Sequence, residues 1–170
     1  AIWASYEPGS TFKIVTLASS IEEGIVDLFD DHFFDGGAVN VDGARIKCWK
    51  AGGHGTETFL EVLQNSCNPG FMTIGLRLGK ERLFKYIKDF GFGSKTGIDL
   101  LGESTGIIFN ENKIGNVELA TSAFGQGNST TAIQLITAAS AAVNGGYLNQ
   151  PGILYGIGNP KTNDIIYQDY

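Results

Sequence analysis

Glu7-Pro8-Gly9-Ser10-Thr11-Phe12-Lys13 places a serine and a lysine three residues apart where a helix is about to begin. Pro8-Gly9 is a turn signal and cannot be helix interior. From Ser10 the apolar residues recur as Phe12, Val15, Leu17, Ala18 and Ile21, close to a helical stripe. Glu22-Glu23-Gly24 ends the pattern, with Gly24 suited to the position past the end. Residues i and i+3 share a helix face, so the Lys13 ammonium is expected to reach the Ser10 hydroxyl. A serine needs a base to become a nucleophile, and a lysine is that base only when burial or a nearby cation lowers its pKa. The helix N-terminus adds free N–H groups that favour a developing oxyanion. A bare S-x-x-K also recurs by chance, as a helix cap followed by a solvated lysine, so the case rests on the remaining residues.

The chain has 170 residues, a net charge of −6, 42% hydrophobic and 18% charged residues. That is enough for one domain with a true core and does not suit a disordered chain. The negative balance gives no broad basic surface, so no nucleic acid partner is expected. No apolar run approaches the ~18 residues of a membrane span, and no signal peptide is visible. The chain opens at Ala1 inside an apolar segment, which suggests a piece of a longer protein. Cys48 and Cys67 have no metal-ligand spacing, and His32 and His54 read as isolated from them and from each other. No metal site is therefore expected, while one disulfide remains open.

Val39-Asn40-Val41 and Ala44 to Cys48 alternate around Asp42-Gly43, which predicts a small β-hairpin. Lys50 to Gly55 reads as a glycine-rich loop. Thr58 and Glu61 form a capping box for a helix that stops near Asn65. Ser66-Cys67-Asn68-Pro69 is a polar turn, and Pro69 can open the next helix. That helix carries Phe71, Met72, Ile74, Leu76 and Leu78, and another runs from Lys80 to about Phe90. Residues 94 to 115 read mostly as loop, Val117 to Ala123 as a short helix and Thr131 to Asn144 as a strong one. The tail from Tyr147 is extended and turn-rich.

Ser66-x-Asn68 follows between two predicted helices, where side chains can face a cleft. A second hydroxyl there can relay a proton, and an asparagine amide can hold a peptide-like substrate. Each residue alone is an ordinary turn or cap residue. Together with Tyr6-Glu7-Pro8-Gly9-Ser10-Thr11-Phe12-Lys13 and Asn65-Ser66-Cys67-Asn68-Pro69, the chain resembles the penicillin-binding proteins, the transpeptidases that cross-link bacterial cell walls. The likeness runs on in order through Phe90-Gly91-Phe92-Gly93, Thr96-Gly97-Ile98-Asp99-Leu100 and Phe124-Gly125-Gln126-Gly127 with Gln134-Leu135. It is closest to the class B type, similar to the sporulation and cell division enzymes of Gram-positive bacteria.

The resemblance implies an α+β fold over 1–170, mainly α here. The chain would be the helical subdomain of the penicillin-binding protein and serine β-lactamase fold, with a small hairpin and most of the five-stranded sheet missing. It implies peptidoglycan D,D-transpeptidation without a cofactor. Ser10 would be the acylated nucleophile, Lys13 its general base, Ser66 a proton shuttle and Asn68 the substrate-binding amide. Partners would be peptidoglycan stem peptides ending in D-Ala-D-Ala, and β-lactams that mimic them. The parent protein would be anchored in the cell membrane, facing the extracytoplasmic side beside other cell-wall synthesis proteins. Alternatives within the same chemistry are a β-lactam-sensing module that acylates without turnover and a serine β-lactamase, with Glu61 or Glu103 as the candidate deacylating carboxylates.

The family's third motif, Lys-Thr/Ser-Gly on a strand beside the serine, is expected beyond Tyr170. Lys95-Thr96-Gly97 spells it, but stands where the family has a loop with Thr-Gly-Ile-Asp, so it reads as a decoy. Leu101 stands where the family often has proline. Gly93-Ser94-Lys95-Thr96 lacks the glycine before the lysine of a P-loop, and Gly91-x-Gly93 lacks the third glycine of a dinucleotide fingerprint. Without the third motif the fragment is expected to be nearly inactive, since one lost oxyanion donor costs roughly 10²–10³ in rate. An apolar face near Ile14, Val15 and Leu17 is expected to be left uncovered and to promote self-association.

Overall fold

The computed structural model describes residues 1–162 and 164–168. A short strand β1 (Ser5–Tyr6) leads into a 3₁₀ turn (Gly9–Phe12) and helix α1 (Lys13–Glu22). Strands β2 (His32–Asp35), β3 (Ala38–Val41), β4 (Ala44–Lys47) and β5 (Gly55–Thr58) follow. Helix α2 (Phe59–Gln64) then feeds the long helix α3 (Asn68–Asp89). Helix α4 (Asn116–Ser122), strand β6 (Thr130–Thr131) and helix α5 (Ala132–Val143) complete the helical body. A hairpin of β7 (Gly156–Gly158) and β8 (Ile165–Gln168) ends the described chain. The strands form four antiparallel pairs, β1–β6, β2–β5, β3–β4 and β7–β8. The fold is thus α+β and mainly helical, as the resemblance implied.

Local chemistry places these elements. Asp42 and Gly43 both take positive φ, 46° and 85°, the geometry a two-residue hairpin needs to join β3 to β4. The capping box closes α2 as read: Thr58 Oγ1 accepts from the Glu61 amide at 3.2 Å, and Glu61 Oε2 accepts from the Thr58 amide at 2.8 Å. α3 breaks at Gly79, with φ 76° and ψ 162°, so the expected pair of helices appears as two helical segments across a kink. α5 starts on a second capping box, Thr131 with Gln134. The buried Gln134 Nε2 also donates to the Ser94 and Thr105 carbonyls at 2.7 and 2.9 Å, pinning the 94–105 loop to α5.

The core is built of Phe12, Phe59, Phe71, Met72, Ile74, Leu83, Phe84, Ile87 and Phe92, with α3 packed against α1 on one side and α4 on the other. Phe12 and Phe92 meet with ring centroids 5.2 Å apart.

Two expectations change here. The pairing of β2 with β5, in register from His32↔Thr58 to Asp35↔Gly55, was not anticipated in the apolar Phe33-Phe34 stretch or the glycine-rich loop. The uncovered face is also not where it was placed. Val15 (1% exposed) and Leu17 (7%) belong to the core, and of the three residues only Ile14 (40%) is open. α1 is packed by both α3 and α5, so its buried positions run almost all round it. What remains exposed is the narrow i, i+7 stripe of Ile14 and Ile21, with Ile136 and Val143 of α5 also exposed.

Candidate active site

Ser10 sits in the 3₁₀ turn just ahead of α1, exposed to solvent. Segments far along the chain hold it there. The Gly9 amide donates to the Gly125 carbonyl at 3.0 Å, and Glu7 Oε1 accepts from the Gly127 amide at 3.0 Å. β1 pairs with β6 through Ser5↔Thr131 and Tyr6↔Thr130. Gly125 has φ +84°, and a Cβ built there would overlap the Gly9 carbonyl oxygen. Only glycine satisfies both the dihedral and the close approach, which explains Phe124-Gly125-Gln126-Gly127 in physical terms.

Lys13 lies one turn on, 2% exposed. Its Nζ donates to Ser66 Oγ at 2.9 Å, to the Ser66 carbonyl at 2.8 Å and to Asn68 Oδ1 at 2.6 Å. An ammonium has three donors, and these acceptors use all of them. Lys13 therefore does not bond Ser10 directly, as the helical spacing had suggested. Ser66 stands between them, its Oγ donating to Ser10 Oγ at 3.0 Å. The four residues named from sequence thus meet in one hydrogen-bonded chain, Ser10–Ser66–Lys13–Asn68. Burial lowers the Lys13 pKa from 10.5 to about 8, against weaker opposing effects of Cys67 and Cys48. The Nζ also lies 5.2 Å from the centre of the Phe71 ring.

Ser66 has φ +50°, a left-handed conformation that costs a non-glycine residue roughly 1–2 kcal/mol. That conformation lets one residue present both its carbonyl and its hydroxyl to Lys13. The turn carrying it is tied at several points. The Ser66 amide donates to the Leu63 carbonyl at 3.0 Å, Trp49 Nε1 donates to the Asn65 carbonyl at 3.0 Å, and Asn65 Nδ2 donates to Glu57 Oε1 at 2.6 Å. Cys67 caps α3, its sulfur accepting from the Gly70 amide, with Asn68 and Pro69 as the first two helical residues.

Behind this turn the structure overturns the isolation of His54 from the cysteines. Cys48 Sγ lies 3.5 Å from His54 Nδ1, and both thiols are free and buried. Asp35 Oδ2 accepts from the His54 amide at 3.0 Å and lies 2.8 Å from His54 Nδ1 and 3.4 Å from Cys67 Sγ. Ligand-type atoms of Asp35, Cys48, His54 and Cys67 all lie within 4.8 Å of one another. Two thiols, an imidazole and a carboxylate form a donor set suited to a tetrahedral Zn²⁺. The residues come from 35, 48, 54 and 67, so no ligand spacing signals them. The β2–β5 pairing and the α2–α3 turn bring them together. Burial tends to raise the Asp35 pKa, but hydrogen bonds from Cys48, Gly37, His54 and Cys67 prevail and bring it down to about 2. Burial raises both thiols.

Lys95-Thr96-Gly97 lies in a loop rather than a strand. Glu103 accepts from the Thr96 amide and hydroxyl at 2.7 and 2.6 Å and from the Gly97 amide at 3.2 Å. This triplet and Glu103 stabilise each other in a turn. Glu61 is likewise engaged, in its capping box.

Comparison with known proteins places the chain in a family. The profile of the penicillin binding protein transpeptidase domain matches residues 1–168. Stage V sporulation protein D of Bacillus subtilis is 65% identical over 165 residues, covering 97% of this chain and 26% of that protein. Peptidoglycan D,D-transpeptidase MrdA of Acinetobacter baumannii is 30% identical over 167 residues, covering 91% of the chain and 24% of that protein. The chain therefore spans about a quarter of the length of these curated relatives. The crystal structure of penicillin binding protein 3 from Mycobacterium tuberculosis complexed with ampicillin superposes with a TM-score of 0.87 at 28% identity, covering 99% of this chain and 37% of that one. A match along almost the whole length establishes that this chain belongs to the penicillin-binding protein transpeptidase domain family.

Proposed function

We propose that the chain is the serine-bearing part of a class B peptidoglycan D,D-transpeptidase. The observation that carries this reading is the hydrogen-bonded path from Ser10 through Ser66 to a buried Lys13. In the neutral form Lys13 takes a proton handed from Ser10 through Ser66, and Ser10 Oγ attacks the carbonyl of the D-Ala-D-Ala bond. The tetrahedral adduct collapses to a Ser10 ester, and the proton returns through Ser66 to the departing D-alanine amine. An amine from a neighbouring strand then attacks the ester and gives its proton to Lys13, which passes it through Ser66 to the departing Ser10 oxygen and restores the hydroxyl. Asn68 Oδ1 is committed to Lys13, so its Nδ2 donors face the substrate's peptide group.

β-Lactams would acylate the same serine, as the ampicillin complex of the Mycobacterium tuberculosis relative suggests for the shared fold. With Glu61 and Glu103 both held in turns, neither is placed as a deacylating base, which disfavours a β-lactamase. The similarity to a stage V sporulation protein supports a role in sporulation. No helix among the described residues is long and apolar enough to cross a membrane. The Ile14 and Ile21 stripe is where the sheet of the fold would pack, and otherwise the surface through which copies of the chain would associate.

The test is the intact mass after incubation with a penicillin, for the chain extended through the third motif, with Ser10→Ala beside it. A drug-sized adduct that is absent in the variant is the expected result. No adduct on the extended protein overturns the assignment of Ser10.

A further inference from the structure

We propose that Glu57 is a positioning residue for acylation of Ser10, acting through Asn65 on Ser66. The inference rests on the transpeptidase reading above, but its support is separate. Two non-glycine residues among those described have positive φ, Asp42 and Ser66. Asp42 is in a two-residue hairpin turn, where that conformation is ordinary. Ser66 is not, and a residue in this region persists there only when its surroundings hold it.

Among those surroundings, Glu57 anchors the residue before Ser66 from a sheet. It is on β5, opposite Phe33 of β2, so its backbone is held by the pairing of these two strands. Its side chain is 3% exposed, and Oε1 takes the short 2.6 Å bond from Asn65 Nδ2. Asn65 itself is exposed at the end of α2, where helices fray. Fixing its amide fixes the carbonyl held by Trp49 and the peptide that enters Ser66.

The second carboxylate oxygen argues in the same direction. Glu57 Oε2 is buried without a hydrogen-bond partner and lies 3.8 Å from His54 Nδ1. Burying a carboxylate with one idle oxygen is unfavourable, and an apolar side chain would fill the site at less cost. Stability alone does not account for a glutamate here. Its bond to the residue before Ser66 does. Glu57 touches neither Ser10 nor Lys13, so it is not a catalytic residue.

The experiment measures acylation by a fluorescent penicillin, resolved into the dissociation constant of the first complex and the rate constant of ester formation. It uses the transpeptidase that carries this chain. Glu57→Leu and Asn65→Ala each remove the bond, one from the buried side and one from the exposed side. Asn65→Ala keeps the measurement available if Glu57→Leu fails to fold. Each is expected to lower the rate constant about tenfold, the equivalent of releasing the Ser66 strain, with the dissociation constant unchanged. Glu57→Gln keeps a carbonyl oxygen for Asn65 Nδ2 and is expected to restore the rate. In a Ser66→Ala background, Asn65→Ala is expected to cause no further loss, because the residue it positions is gone. Wild-type rates in Asn65→Ala, or an equal loss with and without the Ser66 hydroxyl, would overturn the proposal. Failure of the wild-type protein to form an ester at Ser10 would instead overturn the transpeptidase reading.

Discussion

The pH dependence of acylation tests the Lys13 assignment most directly. Burial holds the Lys13 pKa at about 8, with Ser66 and Asn68 as its hydrogen-bond partners. Only the neutral amine can accept the proton that leaves Ser10. With a pKa of about 8, roughly a tenth of the protein carries that form at pH 7, half at pH 8 and about nine-tenths at pH 9. The acylation rate constant should therefore rise about tenfold from pH 7 to pH 9 and then level off. An unburied lysine, at about 10.4, would give a rise of nearly a hundredfold over the same interval and no plateau. The nearby thiols do not confuse the profile, since burial raises both Cys48 and Cys67 above their ordinary value. The assay is stopped-flow acylation by a penicillin from pH 6 to pH 10. The same pKa fixes a second readout. The folded state loses the Lys13 proton near pH 8 while the unfolded chain keeps it to about 10.4, so the unfolded state binds more protons between those values. This group's contribution to stability therefore increases as pH rises through that window. A rate that is flat from pH 7 to pH 9, or that climbs without bending to pH 10, would refute Lys13 as a base poised by burial.

Two further outcomes follow from the structure. Gly125→Ala places a Cβ against the Gly9 carbonyl at φ +84°, and should destabilise the protein by roughly 1–3 kcal/mol, read as a lowered melting temperature. It should also slow acylation, because the strained contact is next to Ser10; an unchanged melting temperature would contradict the close approach. If Asp35, Cys48, His54 and Cys67 meet as described, added Zn²⁺ should protect both thiols from a thiol reagent and raise the melting temperature, and a chelator should reverse both. Thiol labelling indifferent to Zn²⁺ would show that the four donors do not converge.

Particular residues show how far the sequence could be read. Thr58 with Glu61, Asp42-Gly43 and Thr131 with Gln134 act within three residues, and their elements begin or turn where the local pattern places them. Gly79 was a gap between two helical patterns and is a kink between two helical segments. Val15 and Leu17 were misjudged because an apolar stripe shows that a helix is buried on one side, not how many neighbours surround it. His54 was set aside because its partners at 35, 48 and 67 share no ligand spacing. Glu57 offered no signal at all, since its bond to Asn65 depends on the strand pairing of β2 with β5.

By itself the sequence determined the short-range features: the turn before Ser10, the helix that carries Lys13, the caps, the hairpin and the position of Ser66 and Asn68 where a helix begins. These rest on dihedral preferences and hydrogen bonds between near neighbours, which any chain of these residues would express. Tertiary structure alone decided which groups meet. Lys13 bonds Ser66 and Asn68, 53 and 55 residues away, rather than the serine three residues before it. Packing α1 against α3 supplies three acceptors at distances and angles that one helical turn cannot offer, and the burial that comes with it turns a surface cation into a base.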